Sequence, residues 1–217
     1  MTAGYIHLHE CRWLRKPLPN PNILTKLIRF VKIQTEVNKG RCFILPKIKI
    51  DKESVIKEAA YMANTTGIEN LSLKTLASQL GVKSPSLYNH MDGLDDLKQQ
   101  LMLYGWKELE NKIIQAVIGL SGYDAVRAMC YAFREYAIDN PGVFSTMLWY
   151  NQFENEQMSE VTSKMFSIFF KITKSLNISQ DNCIHLVRMF RSFLEGFALL
   201  ENHNAFGNTQ LIKDSFE

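Results

Sequence analysis

Three features of the sequence predict an all-α fold. From residue 51 onward, apolar residues recur at i, i+3, i+4 and i+7 along almost every stretch, the period of a helix that buries one face. Strand-like alternation is absent at any length. The run LSLKTLASQLGVKSPSLYNHM, residues 71–91, packs two helix signals and a tight turn into 21 residues. With 217 residues, 46% of them hydrophobic, the chain is long enough for one large core or two smaller ones.

Residues 1–46 read differently from the rest. Pro17, Pro19, Pro21 and Pro46 interrupt them, and basic residues are scattered without a regular pattern. Within them, Ile23, Leu24, Leu27, Ile28 and Val31 share a face opposite Lys26, Arg29 and Lys32. That amphipathic arrangement would suit a DNA-backbone arm or a membrane-surface anchor. The plainer expectation is an extension that is disordered or not native, with the natural start near Leu45.

A helix-turn-helix unit is expected over 47–92. Its first helix runs from an Asp51 cap to about Thr65, turns Val55, Ile56, Ala59, Ala60 and Ala63 inward, and ends at Gly67. Ile68 and Leu71 then pin the connection to the same small core. Ser72 caps the second helix, whose Leu73, Leu76, Ala77 and Leu80 share a face, and Gly81 ends it in the left-handed conformation. A third helix is expected behind a Ser84 cap, with Pro85 at the first helical position, where its missing N–H costs nothing. Leu87 and Met91 return to the core.

At about 100° per residue from Leu87, Pro85 and Asn89 fall nearly opposite it, flanked by Ser86 and Tyr88. This face is polar, short and uncharged. Hydroxyl, amide and phenol groups so placed suit base edges and phosphates in a major groove. Spacing alone also allows a helical corner in an ordinary bundle.

The run LASQLGVKSPSLYNHMDGLDDL resembles the N-terminal domain of the TetR family of bacterial transcriptional repressors. Ala77, Leu80-Gly81-Val82 and Leu87-Tyr88-Asn89-His90-Met91 carry the resemblance, which extends back through Asp51 and forward into the fourth helix. It implies a double-stranded DNA operator, with Tyr88 and His90 positioning the backbone and Ser84, Pro85, Asn89 and Lys74 facing bases. Ser86 completes the expected DNA-contacting set. At Leu94 the family often has a Lys that holds a phosphate, a contact Leu94 cannot make.

A fourth helix should run from Asp92-Gly93-Leu94 to about Ile118, with Leu97, Leu101, Tyr104, Leu109, Ile113, Ile114 and Val117 apolar. At about 1.5 Å per residue it spans roughly 35 Å, enough to link the reader to a second domain over 93–217. Further helices are expected over 123–139, 143–150, 158–176 and 180–202, with Asn140-Pro141-Gly142 as a break. Large flexible side chains gather there. Phe144, Met147, Trp149, Phe153, Met165, Phe169, Met189 and Phe193 are candidates for a pocket that takes a small hydrophobic effector, and at helical spacing they equally suit a plain core.

The segment from Arg188 to Phe206 resembles the regulatory domain of a TetR subfamily with a Trp/His/Gly-type signature, with Glu195 where His is usual. Gly196 in mid-helix costs about 1 kcal/mol against Ala and suggests that another helix comes close. The resemblance implies a homodimer through the last two helices, with Glu195, Gly196 and Leu199 at the interface. The chain stops at Glu217, about where a final helix should begin, so the bundle is expected to lack it.

Charge divides unevenly: +8 over residues 1–50, 0 over 51–91 and −5 over 92–217. A neutral reader binds DNA weakly as a single copy, and pairing with a second copy offsets that. Cys11, Cys42, Cys130 and Cys183 fit no zinc spacing and read as reduced thiols, and neither metal nor cofactor is expected. No Walker loop, GxSxG, HExxH or dinucleotide glycine motif argues for an enzyme. No secretory signal or apolar run of bilayer length is present, so a cytoplasmic location without membrane attachment is expected. The leading expectation is a repressor that binds a palindromic operator as a homodimer and is released by a small hydrophobic ligand. The alternative is a helical interaction protein that has lost DNA binding.

Overall fold

The computed structural model describes residues 50–148, 156–174, 176 and 178–217. The extension over 1–46, Trp149 and Phe153 lie outside the described residues. Eight α-helices and two short 3₁₀ segments make up these residues, and no strand occurs among them. The helices are α1 (Lys52–Thr66), α2 (Leu73–Leu80), α3 (Leu94–Val117), α4 (Gly122–Asp139), α5 (Pro141–Met147), α6 (Glu156–Lys174), α7 (Gln180–Asn202) and α8 (Ile212–Phe216). The 3₁₀ segments are Ile68–Asn70 and Ser84–Asn89. No helix among the described residues is long and apolar enough to cross a membrane.

Both expected caps at the start of the chain form. Asp51 accepts from the Ser54 N–H at 2.8 Å while Ser54 Oγ accepts from the Asp51 N–H at 3.1 Å. Ser72 Oγ accepts from the Thr75 N–H at 3.1 Å and Thr75 Oγ1 from the Ser72 N–H at 3.0 Å. Each reciprocal pair satisfies two donors that a helix start otherwise leaves open. Gly81 takes φ 69° and ψ 31°, so its N–H reaches the Ser78 carbonyl and the Val82 N–H reaches the Ala77 carbonyl. This left-handed closure, awkward for a side chain with a Cβ, turns the chain sharply out of α2.

Val55, Ala59, Ala60, Ala63, Leu71, Leu76, Ala77, Leu87 and Met91 form the tight core of this unit. It continues without a break along α3 through Leu97, Leu101, Leu109 and Ile113 into the bundle. A second bridge joins the two parts. Asn64 on α1 donates from Nδ2 to Asn140 Oδ1 at 2.9 Å, and its Oδ1 accepts from the Val143 N–H at 2.9 Å. Gly142 sits so close to α1 that a Cβ there would lie 2.0 Å from the Ala63 carbonyl oxygen. Asn140-Pro141-Gly142 therefore does more than break a helix: Pro141 starts α5, and α5 is seated against α1. Residues 49–217 pack as one compact unit.

In the bundle, Arg134 on α4 forks onto Glu201 on α7, with Nε donating to Oε2 at 2.7 Å and Nη2 to Oε1. The Arg134 guanidinium also lies over the rings of Phe197 and Phe216. Phe216 on α8 stacks on Phe193 with centroids 5.9 Å apart and meets Tyr131 edge-on at 5.5 Å. Cys183 is buried, and desolvation pushes the Cys130 thiol up to about 11, so Cys130 is not poised as a thiolate.

Candidate nucleic-acid interface and internal cavity

The segment after Gly81 differs from the expected third helix. It is a six-residue 3₁₀ helix over Ser84–Asn89; Lys83 occupies the cap position with extended backbone, and Ser84 is the first helical residue. Ser84 therefore makes no cap, and Pro85 stands one place later than expected. Its missing N–H still falls in the first turn, where donors lack helical partners. With three residues per turn, Ser84, Leu87 and His90 eclipse one another, as do Pro85 with Tyr88 and Ser86 with Asn89. Exposure follows that order. Leu87 is fully buried between the half-buried Ser84 and His90, whereas Pro85, Tyr88 and Asn89 are exposed and Ser86 is half-buried.

Tyr88, at 59% exposure, is the most prominent apolar surface of this unit. A phenol ring held out in water beside an amide, on a segment anchored by buried Leu87 and Met91, is a presented side chain. Lys74, in the first turn of α2, is exposed, and so is Lys83, at the entry to the 3₁₀ segment. Sequence reasoning passed over Lys83; its position between the Gly81 turn and the polar face was the available signal. His90 lies close enough to Asp51 for charge interaction. The Asp51 carboxyl is held below its ordinary range, chiefly by the Ser54 N–H and hydroxyl, with His90 as a lesser contributor. At Leu94 the side chain is half-buried, and the first turn of α3 carries Asp95 and Asp96, so no cation stands there.

The bundle contains a cavity of about 430 Å³ walled by residues of α3, α4, α6 and α7. Trp106, Phe133, Phe166, Phe169 and Phe190 supply aromatic walls, with Ile113, Met129, Met165, Ile168, Val187 and Leu194 between them. Among the described residues Arg191 and Glu195 are its charged members; Arg191 Nε donates to Glu195 Oε1 at 2.6 Å. Of the expected pocket residues, Met165 and Phe169 line this space. Phe144 and Met147 are buried on α5 and are not among its lining residues, Phe144 packing edge-on behind Phe133, and Met189 and Phe193 stand on the outside of α7 at 57% and 50% exposure.

Glu195 faces the cavity, and desolvation raises its pKa above the ordinary carboxylate value. Gly196 is half-buried, and a Cβ there would meet nothing within 4 Å among the described residues, so the close helix expected at this position is not one of theirs. Leu199 is exposed. Met189, Phe193, Gly196 and Leu200 follow one another at helical spacing along α7, an apolar stripe turned outward.

A helix-turn-helix with a presented polar segment is joined by one long helix to an aromatic-walled all-α bundle. Residues 126–217 match the family described as the tetracyclin repressor-like C-terminal domain. The chain is 29% identical over 174 residues to the HTH-type transcriptional regulator YobS of Bacillus subtilis, covering 78% of this chain and 88% of that one. It is also 29% identical over 154 residues to an HTH-type transcriptional regulator of Mycobacterium tuberculosis, covering 70% and 71%. In fold it is similar to a TetR variant from Acinetobacter baumannii AYE solved in complex with minocycline, with a TM-score of 0.59, 16% identity and coverage of 77% and 90%. The C-terminal part of the chain therefore matches a tetracyclin repressor-like domain, and the chain as a whole is similar to proteins described as HTH-type transcriptional regulators.

Proposed function

We propose that this regulator binds a two-fold symmetric operator as a homodimer and releases it when a small hydrophobic ligand fills the bundle cavity. The observation that carries the reading is the exposed pair of rows on the 3₁₀ segment, Pro85 with Tyr88 and Ser86 with Asn89, held on buried Leu87. In this reading Asn89, Pro85, Ser84, Ser86 and Lys74 meet base edges, Tyr88 and His90 hold the phosphate backbone, and Lys83 adds a phosphate contact. The outward stripe of α7 supports pairing with a second copy, where Gly196 lets a partner helix come close and Leu199 flanks the contact, while Glu195, expected at that contact, lines the cavity instead. Two readers must then sit at about one groove repeat, near 34–36 Å in the simplest case.

Release follows from geometry. Trp106 and Ile113 on α3 wall the cavity, while the same helix runs back to the reader at Leu94; α5 touches both α3 and α1. A ligand that favours a different setting of α3 changes the spacing of the two readers, by no more than its preference between the two settings. Such work takes place at chromosomal DNA, which makes the location cytoplasmic.

The test is salt-dependent binding of the purified protein to the promoter region beside its own gene, measured by fluorescence anisotropy. Tyr88→Phe and Asn89→Ala are expected to weaken it about tenfold each with unchanged melting temperature. Unchanged affinity in both would sink the assignment of this face, and no salt-dependent binding at all would favour a helical interaction protein that has lost DNA binding.

A further inference from the structure

The charged groups in the cavity wall narrow the kind of molecule it accepts. Among the described residues that line the space, Arg191 and Glu195 are the two that carry charge. They lie one turn apart on α7 and meet end-on through a single nitrogen, Nε to Oε1. The second carboxylate oxygen, Glu195 Oε2, has no hydrogen-bond partner among the described residues. The carboxylate is also the deeper of the two groups, with its side chain 17% exposed against 30% for Arg191. Burial without full pairing is costly for a carboxylate, as the upward shift of its pKa by desolvation reflects.

Trp106, Phe133, Phe166, Phe169 and Phe190 present rings around the same space. Ring faces attract cations and offer nothing to anions. An anionic ligand drawn to Arg191 would have to sit beside the half-paired Glu195 carboxylate, where the two negative charges repel. A cationic donor would complete the carboxylate, leave the Arg191 contact in place and find its apolar body among the rings. Building on the reading of the cavity as the effector site, we infer that the effector is a lipophilic amine whose ammonium group donates to Glu195 Oε2 while its apolar body fills the aromatic space.

The experiment uses three molecules with one skeleton: 4-phenylbutylamine, 4-phenylbutanol and 4-phenylbutyrate. Isothermal titration into the full-length protein at pH 7 reads affinity for each, and the same series is run on Glu195→Gln and Phe169→Ala. The amine is expected to bind about tenfold more tightly than the alcohol, with the acid weakest. In Glu195→Gln the amine and alcohol should come within about twofold of each other, and in Phe169→Ala all three should weaken together. Alcohol binding as tight as amine binding, or acid binding tightest, overturns the amine class while leaving the cavity reading intact. Absence of binding by all three removes the cavity reading and the amine class with it. Arg191→Gln gives a second check that does not require the Glu195 variant to fold: it should widen the preference for the amine, and a narrowed preference counts against the assignment.

Discussion

The reader and the bundle solve the packing problem in opposite ways. Around α1 and α2 the core is built from Ala59, Ala60, Ala63 and Ala77 with a few leucines, so the helices can approach closely. Both helices start with reciprocal caps, and α2 ends in a closed left-handed turn. Around α6 and α7 the side chains are Phe, Met and Ile, and they leave about 430 Å³ between them. Small residues fix positions, as the proposed contact of this segment with base edges would require. Large, many-rotamer residues tolerate displacement, as a site that admits a foreign molecule requires.

Removing a large side chain from each region tests that contrast most severely. Leu87 is fully buried under the presented face, so Leu87→Ala is expected to cost about 2–5 kcal/mol and to abolish operator binding along with the folded signal of the reader. Chemical denaturation followed by circular dichroism measures the first, anisotropy the second. A loss under 1 kcal/mol would mean that the 3₁₀ segment is not anchored as described.

Adding volume separates the regions next. Ala59 is fully buried in the close-packed reader, and Ala59→Leu is expected to cost about 1–3 kcal/mol through overpacking. Val187 borders the cavity, and Val187→Leu places its extra carbon in open space, with an expected change within about 0.5 kcal/mol. Equal costs at the two sites would break the comparison.

The parts of this molecule that were legible in the sequence are those whose cause is local. Asp51, Ser72 and Gly81 announced their helix ends because a cap depends on residues within four positions, and all three form. The 3₁₀ form of the recognition segment was less legible: Ser84 reads as a natural cap, yet the buried seats for Leu87 and Met91, supplied by α1 and α2, draw the chain tighter and move the cap position to Lys83. The cavity was hardest. Phe144, Phe169 and Phe193 sit at the same kind of helical spacing, and one is core, one lines the cavity and one faces outward. Only the neighbouring helices decide among those fates, and Glu195 turned inward for the same reason.

A smaller effect tests the caps themselves. Ser72→Ala removes the oxygen that receives the Thr75 N–H while the return bond from the residue-72 N–H to Thr75 Oγ1 stays, for an expected loss of about 1 kcal/mol. A drop in the denaturation midpoint with unchanged slope would locate that loss in stability and leave compactness alone.

The smallest effect carries the comparison into acid, because the two regions shift their carboxylates in opposite directions. Asp51, exposed and bonded to the Ser54 N–H, has its pKa lowered in the folded state; Glu195, desolvated beside the cavity, has its pKa raised. A depressed carboxylate contributes stability that is present above its unfolded value, about 3.9 for Asp, and is lost as the pH falls through the folded value. A raised carboxylate does the reverse: its charged form is the disfavoured one, so folding strengthens as the pH falls through its folded value toward about 4.3, the unfolded value for Glu. Asp51→Asn keeps a capping oxygen without the titration. The stability difference between wild type and Asp51→Asn should therefore shrink from the wild type's side as acid is added, while the difference between wild type and Glu195→Gln should move in the wild type's favour over the same descent. Denaturant midpoints collected from pH 7 to pH 3 for the three proteins measure both slopes. Slopes of the same sign would mean that the reader's cap and the cavity's carboxylate do not differ in the way their surroundings require.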